Sequence, residues 1–125
     1  MKKLLNIFIL FILFSCTTKR VDPSFENDFK KAINSIQIIA NMSDSDAFAD
    51  TLLVNFYFSQ SYLNHVTGVF ANVQYLDEIP YYPNKKMFEK DLEKWMNWYE
   101  NNKFAISKKS SDSIKNVVWN TKVWW

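Results

Sequence analysis

FADTLLVNFYFSQSYLNHVTG, residues 48–68, reads in two ways, and the choice between them sets the fold. As a helix it carries Phe48, Leu52, Phe56 (or Leu53), Leu63 (or Tyr62) and Val66 on one apolar stripe, with Asn55, Gln60 and Asn64 available for the wet side. As a strand, Leu53–Phe58 has good local propensity. The apolar period runs on well past residue 58, and Gly68 stands where a left-handed helix cap belongs. Helix is therefore the reading adopted.

Upstream, Asn41 to Asp46 is a break rich in capping residues, from which Asp44 or Ser45 would start that helix. Before the break, Asp22-Pro23 looks like a helix start, with Asp22 as the cap and Pro23 at the first helical position, where a missing N–H removes no bond. Phe25, Phe29, Ile33 (or Ala32), Ile36 and Ala40 (or Ile39) follow at spacings of three and four, which predicts an amphipathic helix over 23–41.

Downstream, Val69 to Asn84 has no regular period. Pro80 and Pro83 hold their preceding residues extended, so this stretch is expected to be an aromatic loop lying on the domain. Helix resumes after Asn84 with Phe88, Leu92, Trp95 and Tyr99 on one side and Lys86, Glu89, Lys90, Glu93, Lys94 and Asn97 on the other. Lys86 with Glu89 and Lys90 with Glu93 are candidate i,i+3 pairs. Asn101-Asn102-Lys103 ends it. Beyond, Ser110, Ser111 or Asp112 could cap a short helix bearing Ile114, Val117 and Val118, while Val117–Trp125 reads equally well as extended. The expectation is an all-α fold, a small helical bundle or set of helical hairpins with three main helices, an ordered aromatic loop and a short C-terminal element. A single glycine in 125 residues agrees, because an all-β design dense in tight turns leans on glycine.

The amino terminus is a separate segment. Lys2 and Lys3 precede an apolar run, Leu4 to Phe14, broken only by Asn6, which is a signal-peptide pattern and shorter than the roughly 20 residues that span a bilayer. The run closes on Leu13-Phe14-Ser15-Cys16, which resembles the lipobox of bacterial lipoproteins. That resemblance implies cleavage after Ser15, a diacylglyceryl thioether on Cys16 and usually acylation of the new amino terminus. With about 0.8 kcal/mol per buried methylene, two or three acyl chains make a lasting anchor. An ordinary secretory signal would leave Cys16 incidental, but it is the only cysteine and sits at the position the pathway requires. The expected organisation is a signal peptide over 1–15, a lipidated tether over 16–21 and one helical domain over 22–125. The expected location is the cell membrane or outer membrane, with the domain facing the periplasm or the surface. Thr17 in place of aspartate after Cys16 favours the outer membrane by the rule of enteric bacteria.

A second resemblance lies in Leu63-Asn-His-Val-Thr-Gly68 and Trp95-Met-Asn-Trp-Tyr-Glu-Asn-Asn-Lys103. A helix ending in Thr-Gly, a loop with proline or tyrosine, and a helix bearing Trp-x-x-Trp-aromatic and Asn-Lys are similar to the closing unit of HEAT-like helical repeat domains in exported bacterial proteins. The match covers residues 63–103; it implies a helical fold and no activity.

Composition narrows function. Loss of Lys2 and Lys3 with the signal peptide takes fifteen basic residues to thirteen, equal to the thirteen acidic ones. The mature chain is formally neutral and has no charge excess that would draw it to nucleic acid. A lone cysteine allows no internal disulfide, and no Gly-rich loop is present to cradle phosphate. His65, the only histidine, lies one turn before the expected helix end, where the helix dipole favours it, and no motif supplies a catalytic partner. Asp44, Asp46 and Asp50 resemble a calcium loop superficially, but its sixth position is Ala49 and its twelfth Asn55, so capping explains them better. Glu89, Asp91 and Glu93 read as residues of a charged helix rather than a paired acid and base. No cofactor is called for.

Among the aromatics, Phe56, Phe88, Trp95 and Tyr99 fall on apolar stripes and read as core. Tyr81, Tyr82, Trp98, Trp124 and Trp125 do not, and they are the candidate binding residues, since an apolar ring with a polar tip suits interfaces and sugar stacking. The expected function is a non-enzymatic, membrane-anchored envelope module that binds or inhibits a partner protein. Alternatives are glycan or peptidoglycan binding through the same rings, and an enzyme whose motif is unfamiliar.

Overall fold

The computed structural model describes residues 19–43 and 49–121. Residues 1–18, with Cys16, and residues 44–48 and 122–125, with Asp44, Ser45, Asp46, Phe48, Trp124 and Trp125, lie outside the described part.

Helix α1 (Pro23–Ala40) starts as its sequence predicts, for the Asp22 carboxylate accepts the N–H groups of Ser24 and Phe25 at 3.0 Å each. Its buried side is Phe25, Phe29, Ala32, Ile33, Ile36 and Ile39, so both members of the Ala32/Ile33 alternative face inward. Helix α2 (Asp50–Thr67) takes in the whole of Leu53–Phe58, resolving that ambiguity in favour of helix. Strand propensity yields because only helical spacing brings Phe56, Ser59, Tyr62 and Leu63 together on the buried side. The helix begins at Asp50, later than the expected Asp44 or Ser45, and Ala49 at its cap makes no side-chain bond.

Its other end is closed from both sides of the peptide. Gly68 adopts φ 72° and donates to the Asn64 carbonyl at 2.8 Å. The Thr67 hydroxyl donates to Leu63 O at 2.7 Å and accepts the Val69 N–H at 3.0 Å. A β-carbon at residue 68 would meet nothing within 4 Å, so glycine is needed there for its backbone angle rather than for space.

The irregular stretch contains an antiparallel hairpin, β1 (Gln74–Leu76) and β2 (Ile79–Tyr81), where a loop was expected. Leu76 pairs with Ile79 across a two-residue turn, and Asp77 and Glu78 take φ 47° and 68°, the signs of a type I′ turn. That turn usually announces itself as Asn-Gly or Asp-Gly, and Asp-Glu hides it. Pro80 pairs with Tyr75, one step from the hydrogen-bonded closing pair, so its missing N–H removes no ladder bond.

Helix α3 (Lys85–Asn102) is capped by Asn84, whose side chain accepts the Met87 N–H at 3.0 Å. Phe88, Trp95 and Tyr99 are buried as expected, but Asp91 is buried with them and is not a member of the charged face. On that face the ion pair is Lys85 with Glu89 at 3.9 Å, one residue removed from the expected Lys86–Glu89. Helix α4 (Lys108–Thr121) extends the expected C-terminal element in both directions. Its start is capped by Ser107, which accepts the Ser110 N–H at 3.2 Å, and Ser111 and Val118 are buried.

The described residues thus form an all-α bundle of four helices with one small hairpin. Helices α1 and α2 are antiparallel, since Asp28, Ala32 and Ser35 of one flank the same cleft as Tyr62, Ser59 and Asn55 of the other. Both α3 and α4 pack on this pair. Phe25 and Phe29 meet Tyr99 at 6.1 and 5.0 Å, and Phe29 stacks on Trp98 at 6.0 Å, which joins the first half of α1 to the C-terminal turns of α3. Tyr62 bonds Ser111 at 2.9 Å and Phe58 meets Trp119 edge-on at 6.0 Å, which fixes α4. No helix among the described residues is long and apolar enough to cross a membrane.

Candidate functional site

The hairpin is fastened to the bundle through a buried carboxylate. Asp91 is 0% exposed; one of its oxygens accepts the Asn72 N–H at 2.6 Å and the Tyr82 hydroxyl at 2.8 Å, and the other accepts the Asn72 amide at 2.6 Å. Nearby, the Trp95 indole N–H donates to the Val69 carbonyl at 3.2 Å. Burial and the Asp91 carboxylate together push the Tyr82 hydroxyl far above the ordinary phenol range. The ring of Tyr82 meets Phe88 edge-on at 5.5 Å.

This clasp separates two neighbours that the sequence presents as a pair. Tyr81, 37% exposed, turns outward and its hydroxyl donates to Gln74 at 2.9 Å, while Tyr82 turns inward to Asp91. Trp98 is half-buried on Phe29, so of the described candidates Tyr81 alone keeps an open ring. Trp124, Trp125 and the lipidation candidate Cys16 lie outside the described residues.

With the hairpin held in this way, a cleft of about 800 Å³ opens between it and α2. Asp50, Leu53, Val54, Tyr57, Gln60 and Ser61 supply the helix side. Tyr75, Asp77, Glu78 and Ile79 supply the hairpin side. The rings of Tyr57 and Tyr75 lie parallel, 2° apart in plane with centroids 6.3 Å apart. Each hydroxyl is committed to the wall: Tyr57 donates to the Glu78 carbonyl at 2.6 Å and Tyr75 to Gln60 Oε1 at 3.2 Å. Burial, with smaller contributions from Tyr75 and Glu78, raises the Tyr57 hydroxyl above its usual range. Tyr75 in the cleft is 48% exposed, and Leu76, next to it on the opposite face of the strand, is 68% exposed.

Sequence reasoning missed this cleft, although a signal for it exists. Asp50, Leu53, Val54, Tyr57, Gln60 and Ser61 recur at helical spacing and form a second stripe on α2, beside the buried one.

The cleft offers carboxylates, carbonyls and aromatic faces, and so complements a cation or a group rich in hydrogen-bond donors. Among the described residues no group of three or more His, Cys, Asp or Glu could hold a metal ion. His65 is exposed, with Nδ1 2.8 Å from the Ser61 carbonyl one turn back. Comparison with protein-family models, curated proteins and solved structures gives no match.

Proposed function

We propose that this chain is a lipid-anchored binding module of a bacterial cell envelope that engages a partner protein without catalysis. The carrying observation is the hairpin: exposed apolar and aromatic side chains, Tyr75 on the face toward α2 and Leu76 and Tyr81 on the other face, held beside an open cleft by the Asp91 clasp. Rigid presentation of aromatic and aliphatic groups is what protein interfaces exploit.

Anchoring is supported by Leu13-Phe14-Ser15-Cys16 and by the position of α1, which begins seven residues after Cys16. Because α2 runs antiparallel to α1, Tyr57 and Asp50 lie level with the second half of α1. At 1.5 Å per residue this places the cleft roughly 15–25 Å along the helix axis from Pro23, away from the tether. A protein partner suits the site better than a glycan, because Tyr82, one of the two rings a sugar platform would use in that loop, is bound to Asp91.

The test places a photo-crosslinking amino acid at Leu76, and separately at Lys94 on the exposed side of α3, in the full chain expressed in its native membranes. The expected result is a discrete protein adduct from residue 76 and none from residue 94, together with release of a Cys16→Ser chain from the membrane. Equal labelling from both positions, or no adduct at residue 76, refutes the binding reading. A Cys16→Ser chain that stays in the membrane fraction refutes the anchor.

A further inference from the structure

We propose that the cleft between α2 and the hairpin receives an arginine side chain of the partner protein, seated on Tyr57 and Tyr75 and held by Asp50, Asp77 and Glu78. This rests on the binding-module reading and names the chemistry its partner must carry.

The first argument is electrostatic. Acidic groups elsewhere on the described surface have cationic neighbours: Glu26 with Lys30, Asp28 with Lys115, Glu89 with Lys85, Glu100 with Lys103, and Asp112 with Lys108 and Lys115. Asp22 is used as a helix cap and Asp91 in the clasp. Glu93 aside, the carboxylates left without such a neighbour or bond among the described residues are Asp50, Asp77 and Glu78, and all three line this cleft. Among the described residues no lysine or arginine lines it. The bundle supplies the negative half of an ion pair there and omits the positive half.

The second argument is the shape of the acceptor. Tyr57 and Tyr75 spend their hydroxyl protons on Glu78 O and Gln60, so what they turn toward the cleft is ring surface. Two parallel rings in a cleft that three acidic residues also line suit a flat, delocalised cation with several donors. Guanidinium has that form, whereas an ammonium is compact, strongly hydrated and neither stacks nor forks.

The third is the turn. Asp77 and Glu78 both hold positive φ, and a glutamate at 68° is strained where glycine or asparagine would not be. The turn geometry accounts for Asp77, a usual residue at that position, but not for the second acid, Glu78. Finally, Tyr75 at the cleft is 48% exposed. A free amine would leave much of that ring in water, whereas a protein surface carrying the arginine would cover it.

The test uses the full chain in detergent and a fluorescein-labelled peptide, Ala-Arg-Ala-Leu-Arg-Ala, read by anisotropy. Saturable binding is expected. Replacing arginine by citrulline, which keeps the shape and removes the charge, should weaken it by roughly tenfold or more, the size of a charge-assisted hydrogen bond. Asp77→Asn with Glu78→Gln, and separately Asp50→Asn, should weaken the arginine peptide likewise, while Glu100→Gln on α3 leaves it unchanged. The lysine peptide should bind several-fold more weakly. Melting curves of each variant report whether it is folded, and the Asp50 variant gives an independent answer if the turn variant is not. Equal affinity for the citrulline peptide, unchanged affinity in the acid variants, or displacement by spermidine at the arginine peptide's own concentration overturns the proposal. A residue-76 photo-adduct that persists in the Asp77→Asn/Glu78→Gln chain also overturns the arginine site while leaving the binding module standing.

Discussion

Asp91 and the acids of the cleft are opposite uses of the same side chain. Asp91 is buried and meets three donors, two from Asn72 and one from Tyr82. Asp50, Asp77 and Glu78 line an open cleft to which the described residues bring no lysine or arginine. A buried carboxylate survives only when its desolvation is offset by hydrogen bonds, so the first arrangement is complete within the chain. The second is tolerable because water can reach it, and it becomes favourable when a cation displaces that water. The same contrast divides the tyrosines of this segment: Tyr82 completes the clasp, while Tyr75 and Tyr81 keep ring surface open.

The largest expected effects lie on the closed side. Trp95 is fully buried between the bundle and Val69, so Trp95→Ala should cost about 3–5 kcal/mol through the cavity left behind. Asp91→Ala strands two Asn72 donors and the Tyr82 hydroxyl, and should cost about 3 kcal/mol, since each unsatisfied buried polar group forfeits its desolvation. Asp77→Asn, which keeps a residue type that tolerates the positive φ of this position, should move stability by no more than about 0.5 kcal/mol. Urea unfolding of the three variants checks the contrast, and equal losses for Asp91→Ala and Asp77→Asn would abolish it.

Alkaline pH acts on the partly buried hydroxyls and on Lys115. The folded state raises Tyr62 chiefly by burial and Tyr82 by burial and Asp91, both from an ordinary value near 10.0. It raises Lys115 chiefly through its hydrogen bond to Asp28, from 10.5. In each case the folded protein holds the proton more tightly than the unfolded chain. The stabilisation is therefore fully present below the ordinary value and is lost as pH climbs above about 10. Stability measured from pH 8 to 11 should fall at the alkaline end, and Tyr82→Phe should flatten part of that fall. An unchanged slope in that variant would mean that Tyr82 ionises freely.

Much of this framework is legible in the residues. Asp22-Pro23 announces the start of α1, the period from Leu52 to Val66 overrides the strand propensity of Leu53–Phe58, and Thr67-Gly68 ends α2. These are local signals with local causes. The clasp is not legible, because Asp91 sits among Glu89, Lys90, Glu93 and Lys94, and only the path of residues 69–84 decides that it points inward. The hairpin is hidden by an Asp-Glu turn where glycine is usual. The cleft needs both: its acids come from residue 50 and residues 77 and 78, and its rings from residues 57 and 75. Their meeting follows from the clasp and not from any periodicity. Tyr81 and Tyr82 look equivalent in the sequence for the same reason.

Splitting that pair is the next test in size. Tyr82→Phe removes a buried hydroxyl donor from Asp91 and should cost about 1–1.5 kcal/mol, whereas Tyr81→Phe removes an exposed bond to Gln74 and should be within about 0.5 kcal/mol. Thermal melts of the two variants measure it. Tyr81→Phe melting as low as Tyr82→Phe would place both hydroxyls in the clasp.

The smallest expected effect is a gain, and it bears most directly on why the cleft is built as it is. Glu78 occupies φ 68°, where a β-carbon is strained and glycine is not. Its carbonyl is held by Tyr57, and that bond does not depend on the residue's side chain. Glu78→Gly therefore relieves strain while keeping the turn and its fastening. It also adds freedom to the unfolded chain, which opposes part of the relief. The net expectation is a stabilisation of about 0.5–1 kcal/mol or less. If Glu78 serves a cation, this more stable protein should bind the arginine peptide more weakly, so that stability and affinity move in opposite directions in one variant. Glu78→Gln separates the two contributions, since it keeps the strain and removes only the charge: melting should stay near wild type while affinity falls. A Glu78→Gly chain that is both more stable and equally able to bind would show that the strained glutamate is an accident of the turn, and the contrast between a closed and an open acid would then rest on Asp50 and Asp77 alone.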